Sequence, residues 1–301
     1  MELGMIGLGR MGTNMALRLL GAGHRVVGYD QDEEAKENYR AAGGEIAASL
    51  PALVGSLVRP RIAWLMLPQG EPVDATLQAL LPLLARDDTV VDGGNSYYKD
   101  SQRRAHQLRE HGIAFLDVGT SGGIWGLRDG FCLMVGGEVA AYERLEPLLQ
   151  SLAPAPAHGY RHLGPSGAGH FAKMVHNGIE YGLMEAYAEG FALLAAKDEF
   201  GYDLATVAET WRFGSVVRSW LLDLTAKALI DQPRLTEIAP YVDDTGEGRW
   251  ALTEAMALEV PVPALAVALQ TRFRSRQESP FAERLLAALR QQFGGHAVRP
   301  A

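Results

Sequence analysis

The stretch Leu3-Gly4-Met5-Ile6-Gly7-Leu8-Gly9-Arg10-Met11-Gly12 decides how the chain is read. Its apolar start, Leu3 to Ile6, has the length of a short buried strand and runs directly into Gly-x-Gly-x-x-Gly. An amphipathic helix follows, with Met15, Leu19 and Leu20 on one side, and then a second apolar run from Arg25 to Tyr29. Strand, glycine turn, helix and strand form the context in which the glycine triplet carries meaning. Gly7 permits a tight turn, Gly9 lets backbone approach a pyrophosphate, and Gly12 allows helix and strand to pack closely. A diphosphate would then rest among Leu8, Arg10 and Met11 at the helix N-terminus, where N–H groups and the helix dipole favour negative charge. A glycine turn without a nucleotide is the competing reading.

Asp30 closes the second run, where an acid would hydrogen-bond the hydroxyls of an adenosine ribose. A 2′-phosphate there would meet a carboxylate, with Asp32, Glu33 and Glu34 close behind and Gln31 in place of a cation. The residues therefore favour NAD over NADP. A plain turn acid is the alternative.

Strand and helix patterns keep alternating. Ile62 to Leu67 reads as a buried strand ending at Pro68, which places Leu67 and Pro68 among the cofactor candidates. Pro72 to Leu84 and Ser101 to Glu110 read as helices, Thr89 to Val91 and Ala114 to Val118 as strands. Cys132 to Gly136 and Ala140 to Leu152 add one more of each. This alternation predicts an α/β, doubly wound, mostly parallel sheet, which binds ligands beyond the carboxyl ends of its strands. Asn95 and the loop Ser121-Gly122-Gly123 fall at two such ends, although ordinary turn chemistry explains either loop taken singly. After the break at 153–157 the period becomes helical, so the expected domains are 1–163, binding dinucleotide, and 164–301, all-α.

The second half opens on a long predicted helix, to about Ala196, carrying Lys173, His176, Asn177 and Glu180 at i, i+3, i+4 and i+7. At ~100° per residue these four share one sector of roughly 100°. Phe171, Met174, Val175, Ile179 and Leu183 occupy the remainder, so the polar stripe lies on a helix expected to be buried. Buried Lys, His and Glu need partners, which an anionic ligand would supply. A solvated face with ion pairs is the competing reading. Gly178 in mid-helix costs ~1 kcal/mol against Ala and calls for a packing or functional reason. Further on, Arg218 heads an expected helix from about Val216 to Ile230, and Arg249 enters another behind a glycine-rich loop. Arg290 and His296 flank the close of the last helix, where a late Arg and a Gly pair are also good C-terminal chemistry.

Composition narrows the function classes. The chain has 301 residues, 48% hydrophobic and 21% charged, with room for two cores. Its net charge of −8 and pI near 5.5 argue against nucleic acid or an anionic membrane as principal partner. Cys132 is the sole cysteine, which excludes an intrachain disulfide and suits a reducing compartment. No basic leader or membrane-length apolar run is read, so a cytoplasmic location is expected. No metal is expected.

Asp92-Gly-Gly-Asn-Ser96, Ser121-Gly-Gly123 and above all Lys173-Met-Val-His-Asn-Gly-Ile-Glu-Tyr-Gly182 resemble the 6-phosphogluconate dehydrogenase family, within the β-hydroxyacid dehydrogenase superfamily. Arg290-x-x-Phe-Gly-x-His296 is similar to that family's phosphate-binding tail, which reaches into a neighbouring subunit. Most members are much longer, with a duplicated helical domain, so this chain looks like the short form. Tyr29-Asp30-Gln31 also departs from the Asn-Arg-Thr typical of NADP-dependent members.

The resemblance implies a Rossmann-type domain and oxidative decarboxylation of an anionic sugar-acid phosphate, 6-phospho-D-gluconate, with NAD. It implies Lys173 as general base, Glu180 as proton donor, and His176 and Asn177 on the reacting oxygens. It places Asn95, Ser121, Gly122 and Gly123 on the carboxylate end and Tyr181, Arg218, Arg249, Arg290 and His296 on the phosphate. A homodimer or homotetramer sharing the tail is expected. Two other readings compete: a β-hydroxyacid dehydrogenase for a small unphosphorylated acid such as 3-hydroxyisobutyrate, and a dinucleotide-binding sensor without turnover.

Overall fold

A computed structural model describes residues 1–299; positions 300 and 301, which close the expected helical domain, lie outside the described residues. The chain divides into two compact units, Met1–Val175 and His176 onward. Eight strands build the first: β1 Glu2–Ile6, β2 Arg25–Tyr29, β3 Glu45–Ile46, β4 Ile62–Leu65, β5 Thr89–Asp92, β6 Ala114–Ser121, β7 Cys132–Gly137 and β8 Tyr160–Gly164. Their connections carry α1 Arg10–Gly21, α2 Glu33–Ala41, α3 Leu50–Gly55, α4 Glu71–Leu80, α5 Tyr98–Glu110, α6 Gly126–Asp129 and α7 Val139–Leu152. The sheet order is β3-β2-β1-β4-β5-β6-β7-β8, parallel except where β7 runs against β6. The chain winds outward from β1 to β3 and then returns to β4 on the other side of β1. That reversal opens a ligand crevice at the carboxyl ends of β1 and β4.

Alternation along the strands supplies a core to each face. Leu3, Met5, Val26 and Trp64 join Met15 and Leu19 of α1 and Leu145 and Leu149 of α7. Ile6, Val27, Ala63 and Leu65 join Leu53 of α3, Leu77 of α4 and Leu108 of α5. The sheet is thus buried on both sides, as a parallel sheet requires.

The second unit is helical: α8 begins in the first unit and spans Ala168–Ala195, then come α9 Leu204–Trp211, α10 Trp220–Asp231, α11 Glu247–Ala257, α12 Pro263–Ser275 and α13 Phe281–Gly294. Gly178 has a packing reason, since a Cβ there would lie 2.8 Å from Leu265 Cδ2 of α12. No helix among the described residues is long and apolar enough to cross a membrane.

Several expectations change. β8 was not legible because on this edge strand residue type does not follow burial: Leu163 is exposed while His162 lies on the inner side. The strand from Ile62 stops at Leu65, leaving Leu67 and Pro68 in the following loop. Arg218 does not head a helix: Ser219 accepts from Leu222 N at 3.0 Å and starts α10 one residue later. An N-cap side chain outweighs the apolar pair Val216-Val217, both of them exposed. On α8 itself, Val175, Ile179 and Leu183 are exposed rather than buried.

The start of α8 is fixed by Asp117, a fully buried carboxylate on β6. Its Oδ1 accepts from Gly167 N at 2.7 Å and its Oδ2 from His170 N at 2.9 Å, satisfying donors that a helix N-terminus leaves open. Gly169 lets the helix come this close, since its Cβ would stand 2.5 Å from Asp117 O and 2.3 Å from Met134 O. Asp117→Asn turns one acceptor into a donor facing a buried N–H. Urea unfolding should show a loss of about 2–3 kcal/mol; an unchanged midpoint would mean the carboxylate does not anchor the helix.

Candidate active site

The glycine turn is shaped by sterics at two positions. Gly7 has φ +96°, and a Cβ there would lie 2.4 Å from Met66 O. A Cβ on Gly12 would lie 2.0 Å from Gly7 O, so only glycine lets α1 pack on the turn. Gly9 differs: a Cβ would meet nothing within 4 Å, and as N-cap of α1 it offers no side-chain acceptor. This is an open cradle beside an uncapped helix N-terminus, with Arg10 exposed and Met11 half-buried in the first turn. These residues fit the diphosphate of a dinucleotide.

Asp30 follows β2 and does structural work in the turn. Its Oδ2 accepts from Leu8 N at 2.6 Å and its Oδ1 from Asp32 N at 2.9 Å. The carboxylate is only half-buried, so it ties the glycine turn to the strand end while keeping an open side. Turn acid and ribose acceptor are compatible roles for one side chain with four lone-pair sites.

Asn95 is exposed on the loop after β5, and a buried network beneath it sets the loop's shape. Ser96 Oγ donates to Asp92 Oδ2 at 2.7 Å, and Gly94 N donates to Asp92 Oδ1 at 3.2 Å. Fully buried Arg104 of α5 donates to Asp92 at 3.2 Å, to Ser96 Oγ at 3.2 Å and to Asp74 at 2.7 Å. Gly94 brings the loop against the one after β4: its Cβ would lie 2.6 Å from Leu67 O. Arg104 escaped the sequence reading because an Arg on a polar helix normally signals solvent.

Ser121 ends β6 opposite Cys132, and Gly122 and Gly123 continue with φ of +132° and +52°. Two residues earlier, Gly119 makes room for α8, since its Cβ would lie 2.4 Å from Lys173 Cβ. Lys173 is thereby held against the sheet, 7% exposed. Burial pushes the Cys132 thiol up, and the charge of Lys173 partly offsets that.

Further along α8, in the helical unit, His176 Nδ1 lies 3.1 Å from Asn177 Oδ1 and 3.9 Å from a Glu180 carboxylate oxygen. His176 and Glu180 are half-exposed, whereas Asn177 is 8% exposed and donates to Glu247 Oε1 of α11 at 3.2 Å. Tyr181 is buried, packed by Gly248, where a Cβ would lie 2.8 Å from its ring. The Arg272 guanidinium stands 3.7 Å from the centre of that ring, a cation–π contact. Arg249 holds Asp244 with two hydrogen bonds, 2.8 and 3.0 Å, and Arg276 adds a third at 2.6 Å. The Arg249 and Arg276 guanidinium groups keep the Asp244 carboxyl far below the usual carboxylate range.

Arg218 lies before α10, Arg290 on α13 and His296 beyond it, all exposed. Among the described residues, no hydrogen bond or ion pair links these three to the α8 stripe or to Tyr181. Sequence reasoning missed Glu247, Arg272 and Arg276. Helical spacing from Tyr181 offered no cue to Arg272, because the two meet across helices.

The first 2–162 residues match the family model described as the NAD binding domain of 6-phosphogluconate dehydrogenase, and 169–292 match its C-terminal domain. The chain is 47% identical, over 99% of its own length and 98% of the relative's, to a Haloferax volcanii 6-phosphogluconate dehydrogenase named NAD(+)-dependent and decarboxylating. A Bacillus subtilis enzyme of the same name is 36% identical, covering 95% of this chain and 64% of its own. Among solved structures, Plasmodium falciparum 6-phosphogluconate dehydrogenase aligns with TM-score 0.85 and 28% identity, over 100% of this chain and 67% of that one. With both halves matched by the family's models and one relative alike from end to end, the chain belongs to the 6-phosphogluconate dehydrogenase family.

Proposed function

We propose that the chain oxidatively decarboxylates 6-phospho-D-gluconate to D-ribulose 5-phosphate and carbon dioxide, reducing NAD. The observation that carries this is Lys173, buried against Gly119 of the dinucleotide-binding sheet and continued on the same helix by His176, Asn177 and Glu180. A lysine amine accepts a proton only in its neutral form, which carries the lone pair. Lys173 then takes the proton of the C3 hydroxyl as general base. Bound NAD would supply the hydride acceptor for C3. Protonated Lys173 next polarises the new C3 carbonyl, which lets the C1 carboxylate leave as carbon dioxide, its bonding electrons forming an enediol. Glu180 returns a proton to the former C2, which becomes C1 of ribulose 5-phosphate. A half-exposed carboxyl suits a donor that must be recharged from solvent.

Asn95, Ser121, Gly122 and Gly123 hold the carboxylate end, and His176 and Asn177 the hydroxyls. Tyr181, Arg218, Arg249, Arg290 and His296 take the phosphate, with Arg272 adding charge beside Tyr181. Asp30, backed by Asp32, Glu33 and Glu34, supports NAD, as do the names of the Haloferax and Bacillus relatives. An oligomer in which Arg290 and His296 enter a neighbouring site is supported by α13, whose Phe281, Leu285, Leu286 and Leu289 are all exposed.

Purified protein mixed with 6-phosphogluconate should reduce NAD faster than NADP and yield ribulose 5-phosphate in equal amount. Reduction with 3-hydroxyisobutyrate instead would move the substrate to the small unphosphorylated acids. Lys173→Met and Arg290→Ala should each be almost inactive alone, and activity should return when the two are unfolded and refolded together. No recovery would mean that each site is built from one chain.

A further inference from the structure

Glu247 has no part in the chemistry described so far, yet it is 2% exposed and reaches the reactive stripe of α8. It opens α11 behind Gly246, whose φ of +105° turns the chain into the helix. Thr245 Oγ1 donates to its Oε2, and Asn177 Nδ2 donates to its Oε1 at 3.2 Å. The other end of the Asn177 amide, Oδ1, faces His176 Nδ1 at 3.1 Å.

We infer that Glu247 is a positioning residue that fixes the Asn177 amide and, through it, holds His176 as the Nδ1–H tautomer. The reasoning is one of donors and acceptors. A carboxylate oxygen only accepts, so Glu247 admits Asn177 in one orientation, with the NH2 toward α11 and the carbonyl oxygen toward His176. That oxygen in turn requires a proton on Nδ1, because an amide oxygen beside an unprotonated ring nitrogen would set two acceptors together. The Glu180 carboxylate on the same side of the ring, 3.9 Å from Nδ1, asks for the same proton. A neutral histidine carrying its proton on Nδ1 presents Nε2 as an acceptor, the polarity needed to receive a substrate hydroxyl. The role of Glu247 is exerted through Asn177.

The catalytic consequence rests on the dehydrogenase reading, but the tautomer does not, so the first measurement is made without substrate. Protein labelled with 15N-histidine, with the His176 signals assigned by their loss in His176→Gln, should show a protonated Nδ1 and an unprotonated Nε2 in the neutral ring. The opposite tautomer in the wild-type protein overturns the inference, whatever any variant does.

Two variants then separate positioning from bulk. Glu247→Met keeps the volume and removes both acceptors; it should shift the tautomer and lower kcat about 10- to 100-fold, the factor expected for losing a hydrogen bond to a charged group. Glu247→Gln can still offer Asn177 an oxygen while its NH2 meets Thr245 Oγ1, so it should restore the tautomer and most of kcat. If Gln is as impaired as Met, charge rather than orientation matters and the inference fails. It fails also if Met leaves the tautomer unchanged. Absence of turnover by every form, with the tautomer as expected, would sink the dehydrogenase reading and leave the positioning network standing.

Discussion

Two backbone N–H groups, those of Gly167 and His170, end on the two oxygens of one buried carboxylate, and the placement of Lys173 depends on that attachment. A helix N-terminus inside a protein needs acceptors, and water cannot reach this one. Asp117 provides them from β6, so the first turns of α8, within the first unit, are fixed against the sheet. Lys173 follows three residues after His170, less than one turn further along. Small residues make the attachment possible: Gly119, Gly136 and Gly169 each leave a gap that a Cβ would close, with neighbours at 2.4, 2.6 and 2.3 Å. Close contact of helix on sheet through these glycines is what holds the Lys173 side chain against β6 near its end.

The same device recurs where a candidate functional side chain is held still. Asn95 rides on a loop whose shape is set by Asp92, Ser96 and the fully buried Arg104. Asn177 is gripped by Glu247, and Arg249 by Asp244. Each carboxylate is saturated by several donors, the condition under which a buried charge is tolerable. Such pairs add little net stability, but a side chain with only one satisfied geometry is preorganised for its ligand.

Much of this was legible in the chain because it rests on local rules. The glycine turn, the alternation of strands with helices, and the stripe of Lys173, His176, Asn177 and Glu180 all follow from spacing within about ten residues. What stayed hidden is non-local. Arg104 looks like a surface residue on α5 until Asp74 and Asp92 close around it, and Arg272 meets Tyr181 only across two helices. Edge strand β8 alternates in burial, but its residue types do not follow: His162 lies on the inner side and Leu163 on the outer. The exposure of Val175, Ile179 and Leu183 was misjudged for a related reason: apolar periodicity reports a face that needs covering, not whether this chain covers it.

The attachment of α8 to the sheet is tested most directly by the catalytic behaviour of Asp117→Asn, with NAD affinity measured on the same sample by calorimetry. The glycine turn lies far along the sheet from β6, so NAD affinity should stay within about twofold while kcat falls ~100-fold, the effect of a reactive group displaced by about 1 Å. Undiminished turnover would contradict the claim that this carboxylate places Lys173. An equal loss of NAD affinity would contradict it too, by making Asp117 a general support of the domain.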